Sequence, residues 1–194
     1  MKITRSWILG ALTLGLSATA TAAPAKTKAK APAEASQGLS VGQQAPWFAG
    51  WTLDQRLINR TKLLRDKDAK GHLIVFFATW CGPCKKKLAH LGTAKEALSA
   101  AGVRLVLVDY AEPPEQVGPF LQTFKGLQPD TVIVDQFGRM SASFGVTAKV
   151  GGKETARLPL AVLLDAEGRV KAVYDEAQAP AAMLESAFAS LGAP

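Results

Sequence analysis

Residues 76–84 read Phe76-Phe77-Ala78-Thr79-Trp80-Cys81-Gly82-Pro83-Cys84 and hold both cysteines of the 194-residue chain. The overlapping run HLIVFFA at residues 72–78 is almost entirely apolar, which is typical of a β-strand covered on both faces. Pro83 then opens a helical pattern that runs to about Ala100 and ends at Gly102, with proline at its start and glycine just past its end. The two cysteines therefore lie at a predicted strand-to-helix junction.

The spacing of Cys81 and Cys84 favours a redox-active pair. In the first turn of a helix, residues i and i+3 lie close together, so the two sulfurs can form a small disulfide ring. Unpaired N–H groups and the helix dipole stabilise a thiolate at Cys81, which lowers its pKa and makes it the attacking nucleophile. Cys84, one turn further on, is then expected to resolve the mixed disulfide. Pro83 fits because its missing N–H has no intrahelical partner in the first turn.

Two other interpretations of the cysteine pair stay open. A structural disulfide that closes so short a loop contributes only about 2 kcal/mol in the chain-entropy model. A zinc site needs about four ligands. Besides the two thiols, the sequence has two histidines, His72 at the start of a predicted strand and His90 in mid-helix, and their spacing is not that of zinc ligands. We therefore expect no metal, no cofactor beyond the redox disulfide itself, and histidines that are exposed or satisfied by hydrogen bonds.

The remaining periodicity predicts an α/β fold. Strands are predicted over 47–53, 103–108, 131–134, 160–164 and 170–174, and helices over 59–66, 113–125 and 180–191. The last two strands flank a turn sequence, DAEGR at 165–169, that indicates a hairpin. This order of elements predicts a central mixed β-sheet with helices on both faces.

The N-terminus has the pattern of a signal peptide over residues 1–23. Lys2 and Arg5 precede an apolar run over 7–16, and small residues with a small-x-small spacing follow it. The run of about ten residues is shorter than the ~20 that a membrane span needs. We therefore expect an exported protein; the alternative is an uncleaved anchor that residues 17–23 would lengthen.

Residues 24–37 contain Ala, Lys, Pro and Ser with almost no large apolar side chains. Such a segment cannot bury enough surface to offset the entropy of ordering it, so we predict a flexible tether. The tether leaves one folded domain over 38–194.

The basic character of the chain is concentrated at this end. The formal net charge is +7, of which two charges fall in residues 1–23 and a net two in 24–37, so the remainder carries +3. Scattered charges with so small an excess are poor evidence for nucleic-acid binding. We expect a monomer with no nucleic-acid partner.

The segment from Phe76 to Cys84 resembles the active-site segment of thioredoxins, and particularly of TlpA-like exported thiol–disulfide oxidoreductases. Weaker similarities follow at residues 144–146, at Leu158-Pro159 and at the turn 167–169, so the likeness extends from about residue 39 to the end. The resemblance implies a thioredoxin-like fold and exchange of disulfides with protein thiols in a bacterial periplasm. It favours a reductant, for example one that serves cytochrome c maturation, fed by a membrane electron-donor protein.

The same resemblance implies supporting roles for Trp80, Gly82 and Pro83 and a cis peptide bond between Leu158 and Pro159, packed against the cysteine pair. X–Pro is the bond at which cis costs least, and a prolyl nitrogen donates no hydrogen bond. The alternative is an ordinary trans proline at the start of an edge strand.

Three positions depart from the family pattern. Val75 stands where relatives often carry a buried Asp or Asn, Lys87 stands where TlpA-like relatives often carry Glu, and the usual helix-kinking proline is missing. The first two changes remove the expected acid–base partners of Cys84. The lysine run 85–87 either stabilises thiolates electrostatically or forms a solvated helix face. Asp109, at the end of a predicted strand, is a candidate replacement proton acceptor.

A further departure is the length of the segment 147–158. Gly151-Gly152 indicates a mobile loop, and Lys149, Lys153 and Arg157 make it basic. We hypothesise that this loop lies near the cysteines and favours partners with acidic surfaces.

Two functions of other classes compete with the oxidoreductase. A CxxC thiolate pair can bind Cu(I), as in a metallochaperone, although Met140 and Met183 form no ligand cluster with it. Val75 and Lys87 are also compatible with a redox-degenerate interaction domain of the same fold.

Overall fold

The computed structural model describes residues 39–150, 153–176, 178 and 180–191, without the side chains of 149 and 150. The predicted signal peptide (1–23) and tether (24–37) lie outside the described residues. In chain order the elements are β1 (Ala49–Thr52), β2 (Leu57–Asn59), α1 (Arg60–Leu63), β3 (Gly71–Phe77), α2 (Gly82–Thr93), α3 (Lys95–Ala100), β4 (Val103–Tyr110), α4 (Pro114–Gln122), β5 (Thr131–Asp135), α5 (Arg139–Ser143), β6 (Thr147–Val150), β7 (Lys153–Ala156), β8 (Leu160–Asp165), β9 (Val170–Tyr174) and α6 (Pro180–Ser190).

A seven-stranded sheet forms the centre, with the strand order β2-β1-β5-β4-β3-β8-β9. Strands β3, β4 and β5 run parallel, whereas β1 and β8 join their neighbours antiparallel. Every residue of β3 is buried, as its continuous apolar sequence predicts. Each large apolar side chain buried in this way stabilises the fold by about 1.5–3 kcal/mol. The predicted mixed sheet is confirmed.

Helices cover both faces of this sheet, and two adjacent residues of β3 show it. Phe77 stacks on Phe120 of α4 at a ring-centroid distance of 6.0 Å, and Phe76 packs against Phe144, just after α5, at 5.2 Å. Because successive side chains of a strand point to opposite faces, α4 and Phe144 lie on opposite sides of the sheet. Helix α2 packs against α6.

The predicted helix over 83–100 is wrong in one respect, because the structure divides it into α2 and α3 at Ala94. Gly92, in the last turn of α2, lies against the backbone of residues 125–127, and a Cβ atom at Gly92 would come within 2.7 Å of the Lys125 carbonyl oxygen. This close approach is a contact between distant segments, so helical periodicity could not reveal it.

The segment 147–158 is also different from its prediction as a loop. Strands β6 and β7 pair antiparallel from Thr147↔Ala156 to Val150↔Lys153, which makes the insertion a β-hairpin. Gly151 and Gly152 lie between the strands and outside the described residues. The described residues on either side of these glycines are therefore paired β-structure.

Helix α5, which the periodicity did not predict, is only five residues long and follows Gly138 in a left-handed conformation (φ 63°). In the part of the chain that the structure describes, no helix is both long and apolar enough to cross a bilayer.

Candidate active site

The cysteine pair lies at the start of α2, as predicted. Cys81 is the N-cap residue with extended backbone angles, and Cys84 lies in the first turn. The two residues form a disulfide with a Cα–Cα distance of 5.3 Å. The Cys84 N–H donates to the Cys81 Sγ at 3.2 Å, and the Cys81 N–H closes a turn onto the Ala78 carbonyl at 3.1 Å. A helix N–H is therefore already directed at the sulfur where a thiolate would form.

The two sulfur-bearing residues differ in accessibility. Cys81 retains 4% of its surface, whereas Cys84 is fully buried. Trp80 is 62% exposed, and Gly82 and Pro83 are exposed as well. A partner approaching from solvent therefore contacts the loop around Cys81 first, which agrees with its predicted role as the nucleophile.

The Leu158–Pro159 peptide bond is cis, as the resemblance implies. Pro159 shares a surface groove with the start of α2 and the β9–α6 loop; we call it the cysteine-side groove, and its lining residues are Gly82, Pro83, Lys86, Lys87, Pro159, Glu176, Gln178 and Pro180. A second groove, the hairpin-side groove, also contains Pro159 and is lined by Ala156, Arg157, Leu158, Pro159, Asp175 and Glu176. Pro159 thus lies where the two grooves meet, beside the redox loop.

Lys87 contradicts the prediction of a solvated face. It is only 3% exposed, and its Nζ donates to the Asp175 carbonyl at 2.8 Å. Burial lowers the pKa of the Lys87 ammonium, while the nearby charges of Asp175 and Glu176 act in the opposite direction. Because Cys84 and Lys87 are three residues apart on one helix and both buried, they occupy the same inward face of α2.

The other two lysines of the run behave as the solvated-face interpretation expects. Lys85 and Lys86 are exposed. The Lys85 ammonium lies 6.0 Å from the centroid of the Phe120 ring, and such an exposed cation–π contact contributes about 0.5–1 kcal/mol.

Position 75 carries no charge. Val75 is fully buried and pairs with Leu107 on one side and Ala161 on the other. Asp109, which pairs with Phe77, is two residues closer to the cysteine loop on the same face of the sheet. This places an acidic side chain about 7 Å along the strand from the position where relatives often have one.

Asp109 is fully buried. Burial, followed by the interaction with the Glu112 side chain, raises the pKa of the Asp109 carboxyl to about 8. Its Oδ2 accepts a hydrogen bond from the Glu112 N–H at 3.1 Å, while Oδ1 accepts none from the described residues. A proton on Asp109 near pH 7 removes the cost of an unpartnered buried charge.

Glu112 is a site residue that the sequence did not reveal. It is 7% exposed, and its Oε2 accepts the Thr79 N–H at 2.6 Å while its Oε1 accepts the Thr79 hydroxyl. Thr79 lies two residues before Cys81. An acid just before Pro113-Pro114 reads as an ordinary helix-start residue, and no spacing rule connects residues that are 33 positions apart.

The β6–β7 hairpin contacts this end of the sheet. Burial raises the pKa of Tyr110 at the end of β4, and the carboxylate of Glu154 in β7 adds to the effect. The Arg157 N–H donates to the Val146 carbonyl at 2.7 Å, and Arg157 lines the hairpin-side groove. The hairpin therefore lies at the same end of the sheet as the cysteine loop.

Histidines do not contribute to the pair. His72 is buried in β3 with its Nε2 3.1 Å from the Leu63 carbonyl oxygen, and His90 is half-buried in α2. Within the described ranges, no group of three or more His, Cys, Asp or Glu side chains is arranged to hold a metal ion.

Fold and site together define a thioredoxin-fold protein with a CxxC disulfide at a helix start and a cis-proline beside it. The chain belongs to the Redoxin family, whose model matches residues 40–191.

Curated relatives agree with this family. The chain is 26% identical over 132 residues to the thiol–disulfide oxidoreductase ResA of Bacillus thuringiensis subsp. konkukian (strain 97-27), covering 68% of each chain. It is 27% identical over 135 residues to ResA of Geobacillus thermodenitrificans (strain NG80-2), covering 70% of this chain and 69% of the relative. These matches confirm the predicted resemblance and enzyme class, a TlpA-like thiol–disulfide oxidoreductase of the thioredoxin superfamily.

Solved structures confirm the fold. A crystal structure from Chlorobium tepidum, described as a thiol:disulfide interchange protein DsbE, has a TM-score of 0.63 at 24% identity and covers 80% of this chain and 100% of that one. The crystal structure of peroxidoxin BcpB from Mycobacterium tuberculosis has a TM-score of 0.64 at 18% identity, over 79% and 97% of the two chains.

Proposed function

We propose that this oxidoreductase is exported to a bacterial periplasm and reduces disulfides in other proteins through the Cys81–Cys84 dithiol. The observation that carries the proposal is the asymmetry of the pair: Cys81, at a helix N-cap beside exposed residues, keeps 4% of its surface accessible, whereas Cys84 is fully buried. The signal-peptide pattern of residues 1–23 supports export. The names of the ResA relatives support thiol–disulfide chemistry.

The reaction begins with the reduced pair. The Cys81 thiolate attacks one sulfur of the substrate disulfide, the substrate S–S bond breaks, and the departing thiolate takes up a proton. Cys84 then loses its proton and attacks the Cys81 Sγ, which releases the second substrate thiol and forms the Cys81–Cys84 disulfide. The substrate gains two electrons and two protons. A dithiol donor, which we propose to be a membrane electron-donor protein, returns the pair to its reduced form.

The surroundings of the pair favour both steps. At Cys81, the helix N-terminus and the Cys84 N–H stabilise the thiolate. At Cys84, Lys87 places a positive charge one turn away on the same buried face. Asp109, on the face of the sheet that α2 and α4 cover, has a pKa of about 8, which is close to that of an ordinary thiol and suits exchange of a proton with it.

The basic residues at the β6–β7 hairpin favour partners with acidic surfaces. Lys153 and Arg157 are exposed, and Arg157 lines the groove that contains Pro159. A partner with acidic groups near its disulfide would be attracted to this side of the site.

Trapping experiments test the proposed roles of the two cysteines. Reduced wild-type protein is expected to reduce insulin disulfides, and both Cys81→Ser and Cys84→Ser are expected to abolish turnover. Only Cys84→Ser should accumulate a covalent mixed disulfide with substrate, because it keeps the nucleophile and lacks the resolving thiol. Non-reducing electrophoresis detects that adduct. A wild-type protein without reductase activity would instead favour Cu(I) binding or a redox-degenerate role, and an adduct on Cys81→Ser would reverse the assignment.

A further inference from the structure

Glu112 connects the β4–α4 loop to the loop that presents Cys81. Both of its carboxylate oxygens are used for one residue: Oε2 accepts the Thr79 N–H at 2.6 Å, and Oε1 accepts the Thr79 hydroxyl. Glu112 is only 7% exposed and these hydrogen bonds are part-buried, which limits competition by water. A charged acceptor makes stronger hydrogen bonds than a neutral one.

Thr79 is well placed to pass this restraint to the nucleophile. It lies between Ala78, whose carbonyl accepts the Cys81 N–H, and Trp80, which is exposed. The loop from Phe77 to Cys81 contains no element of its own that would orient it, since β3 ends at Phe77 and α2 begins at Gly82. The bidentate carboxylate is therefore a tertiary anchor in the middle of the strand-to-helix connection.

Glu112 is itself held in place by Asp109. Its N–H donates to the Asp109 Oδ2 at 3.1 Å, and Asp109 is fixed in the β4 ladder opposite Phe77. Asp135, whose carboxylate accepts the N–H groups of Met140 and Ser141, adds a further negative charge near Asp109. The anchor is thus attached to the central sheet.

We infer that Glu112 is a positioning residue for the attack by Cys81, acting through its paired hydrogen bonds to Thr79. The inference rests on the proposed redox function and adds a residue to it. The step that it assists is the one already described, attack of the Cys81 thiolate on a substrate disulfide with cleavage of that S–S bond. Glu112 holds the loop in the geometry for attack and exchanges no electrons or protons itself.

Charge and positioning make opposite predictions for Glu112→Gln. A carboxylate near a thiol disfavours the thiolate, so an effect of charge alone would lower the Cys81 pKa and speed the reaction of the variant. The amide of Gln keeps one acceptor oxygen for the Thr79 N–H, and its NH2 group can only donate to the Thr79 hydroxyl oxygen, so the charge-assisted pair of hydrogen bonds is replaced by weaker neutral ones. If Glu112 positions the loop, attack is slower even when the thiolate population is equal or larger.

The experiment uses the reduced full chain and a small aromatic disulfide as the probe, with the Cys81 pKa measured from thiolate absorbance. Glu112→Gln is expected to lower the rate of attack per thiolate about ten-fold, since loss of one charge-assisted hydrogen bond is of that order. Glu115→Gln, an exposed acid three residues further on, is the matched control and should stay within about two-fold. An unchanged or faster rate per thiolate in Glu112→Gln overturns the inference.

Thr79 variants test the connection independently of how well Glu112→Gln folds. Thr79→Val removes the hydroxyl and should slow attack. Thr79→Ser keeps a hydroxyl and should react at about the wild-type rate. The double variant Glu112→Gln/Thr79→Val should be no slower than Glu112→Gln alone, because both changes break the same connection. Additive losses would overturn the inference. Insulin reduction, measured in parallel, separates the two proposals: a protein that attacks the small probe but not insulin contradicts protein-disulfide reduction and leaves the Glu112 result decisive.

Discussion

The two flanks of α2 hold buried ionisable groups of opposite type, acids on one side and a lysine on the other. On the β4 flank, Asp109 and Glu112 form an acidic pair. On the β9 flank, the buried Lys87 ammonium donates to the carbonyl of Asp175. Strand β3 lies between β4 and the β8–β9 hairpin, so these groups reach the redox helix from either side. The apolar Val75 lies in that middle strand.

The contrast shows how each flank accommodates a buried ionisable group. Asp109 does so by holding a proton, since burial and the nearby carboxylates raise its pKa to about 8. Lys87 does so by donating to a main-chain oxygen with acids nearby, although burial lowers its pKa. Loss of the Lys87 charge should therefore change the pKa of the thiols at neutral pH, whereas the contribution of Asp109 to stability should change chiefly with pH.

The largest effect is expected from Lys87→Met. Removing the positive charge on the Cys84 face of α2 should raise the thiol pKa of the pair and slow attack on a small disulfide about three- to ten-fold near pH 7. Thiolate absorbance across a pH titration measures the shift. Lys85→Met, on the exposed face of the same helix, is the matched control, because solvent screens its charge. Equal pKa values in the two variants would contradict a special role for the buried lysine.

An intermediate effect is expected from Asp109→Asn, and its sign is fixed by linkage. The Asp109 pKa is raised in the folded state, so the native protein holds a proton that the unfolded chain has lost between about pH 4 and pH 8. Stability from this group therefore falls as pH rises through that window, by about 1.4 kcal/mol per pH unit at most, and levels off above it.

Urea unfolding at several pH values measures this dependence. As pH rises from about 5 to 8, the free energy of unfolding of wild type should fall relative to that of Asp109→Asn, because the neutral amide cannot ionise. Asp130→Asn, at a more exposed acid whose carboxylate accepts the Leu105 N–H, provides the comparison. A pH-independent difference for Asp109→Asn would show that Asp109 is ionised in the native state.

The smallest effect is expected from the exposed basic residues of the β6–β7 hairpin, which we propose act on the choice of partner. Reversing charge in Lys153→Glu/Arg157→Glu should slow reduction of an acidic peptide disulfide by a few-fold at low salt and leave a neutral peptide unaffected. The difference should shrink as salt is added. Parallel rate measurements on the two peptides check it, and equal slowing of both would indicate damage to the site rather than loss of attraction.

Several features of the site follow from local sequence. Cys81 and Cys84 are three residues apart, with an apolar strand before them and Pro83 between them, and each of these signals acts over less than two helical turns. The helix start and the disulfide were therefore predictable. The cis bond before Pro159 was implied by family resemblance, because nothing in the local residues distinguishes it from a trans bond.

The errors share a different origin. The basic run 85–87 was interpreted either as a solvated face or as a group of charges that stabilises thiolates, and both interpretations treated its three lysines alike. Helical rotation turns only the third lysine, Lys87, inward toward the Asp175 loop. The helix break at Ala94 comes two residues after Gly92, which lies against the distant backbone of residues 125–127. In each case the deciding partner is far away in the chain.

The amino-acid sequence alone determined the redox pair, the strand that leads into it and most of the longer helices and strands, because these depend on residue spacing within one element or its neighbour. Only the tertiary structure decided which charges surround the pair. Glu112 reaches Thr79 across 33 positions because the parallel strands β3 and β4 end at the same edge of the sheet. Lys87 reaches Asp175 across 88 positions because β9, after two antiparallel pairings, ends at that edge as well. Burial at that edge then raises the pKa of Asp109 and lowers the pKa of Lys87.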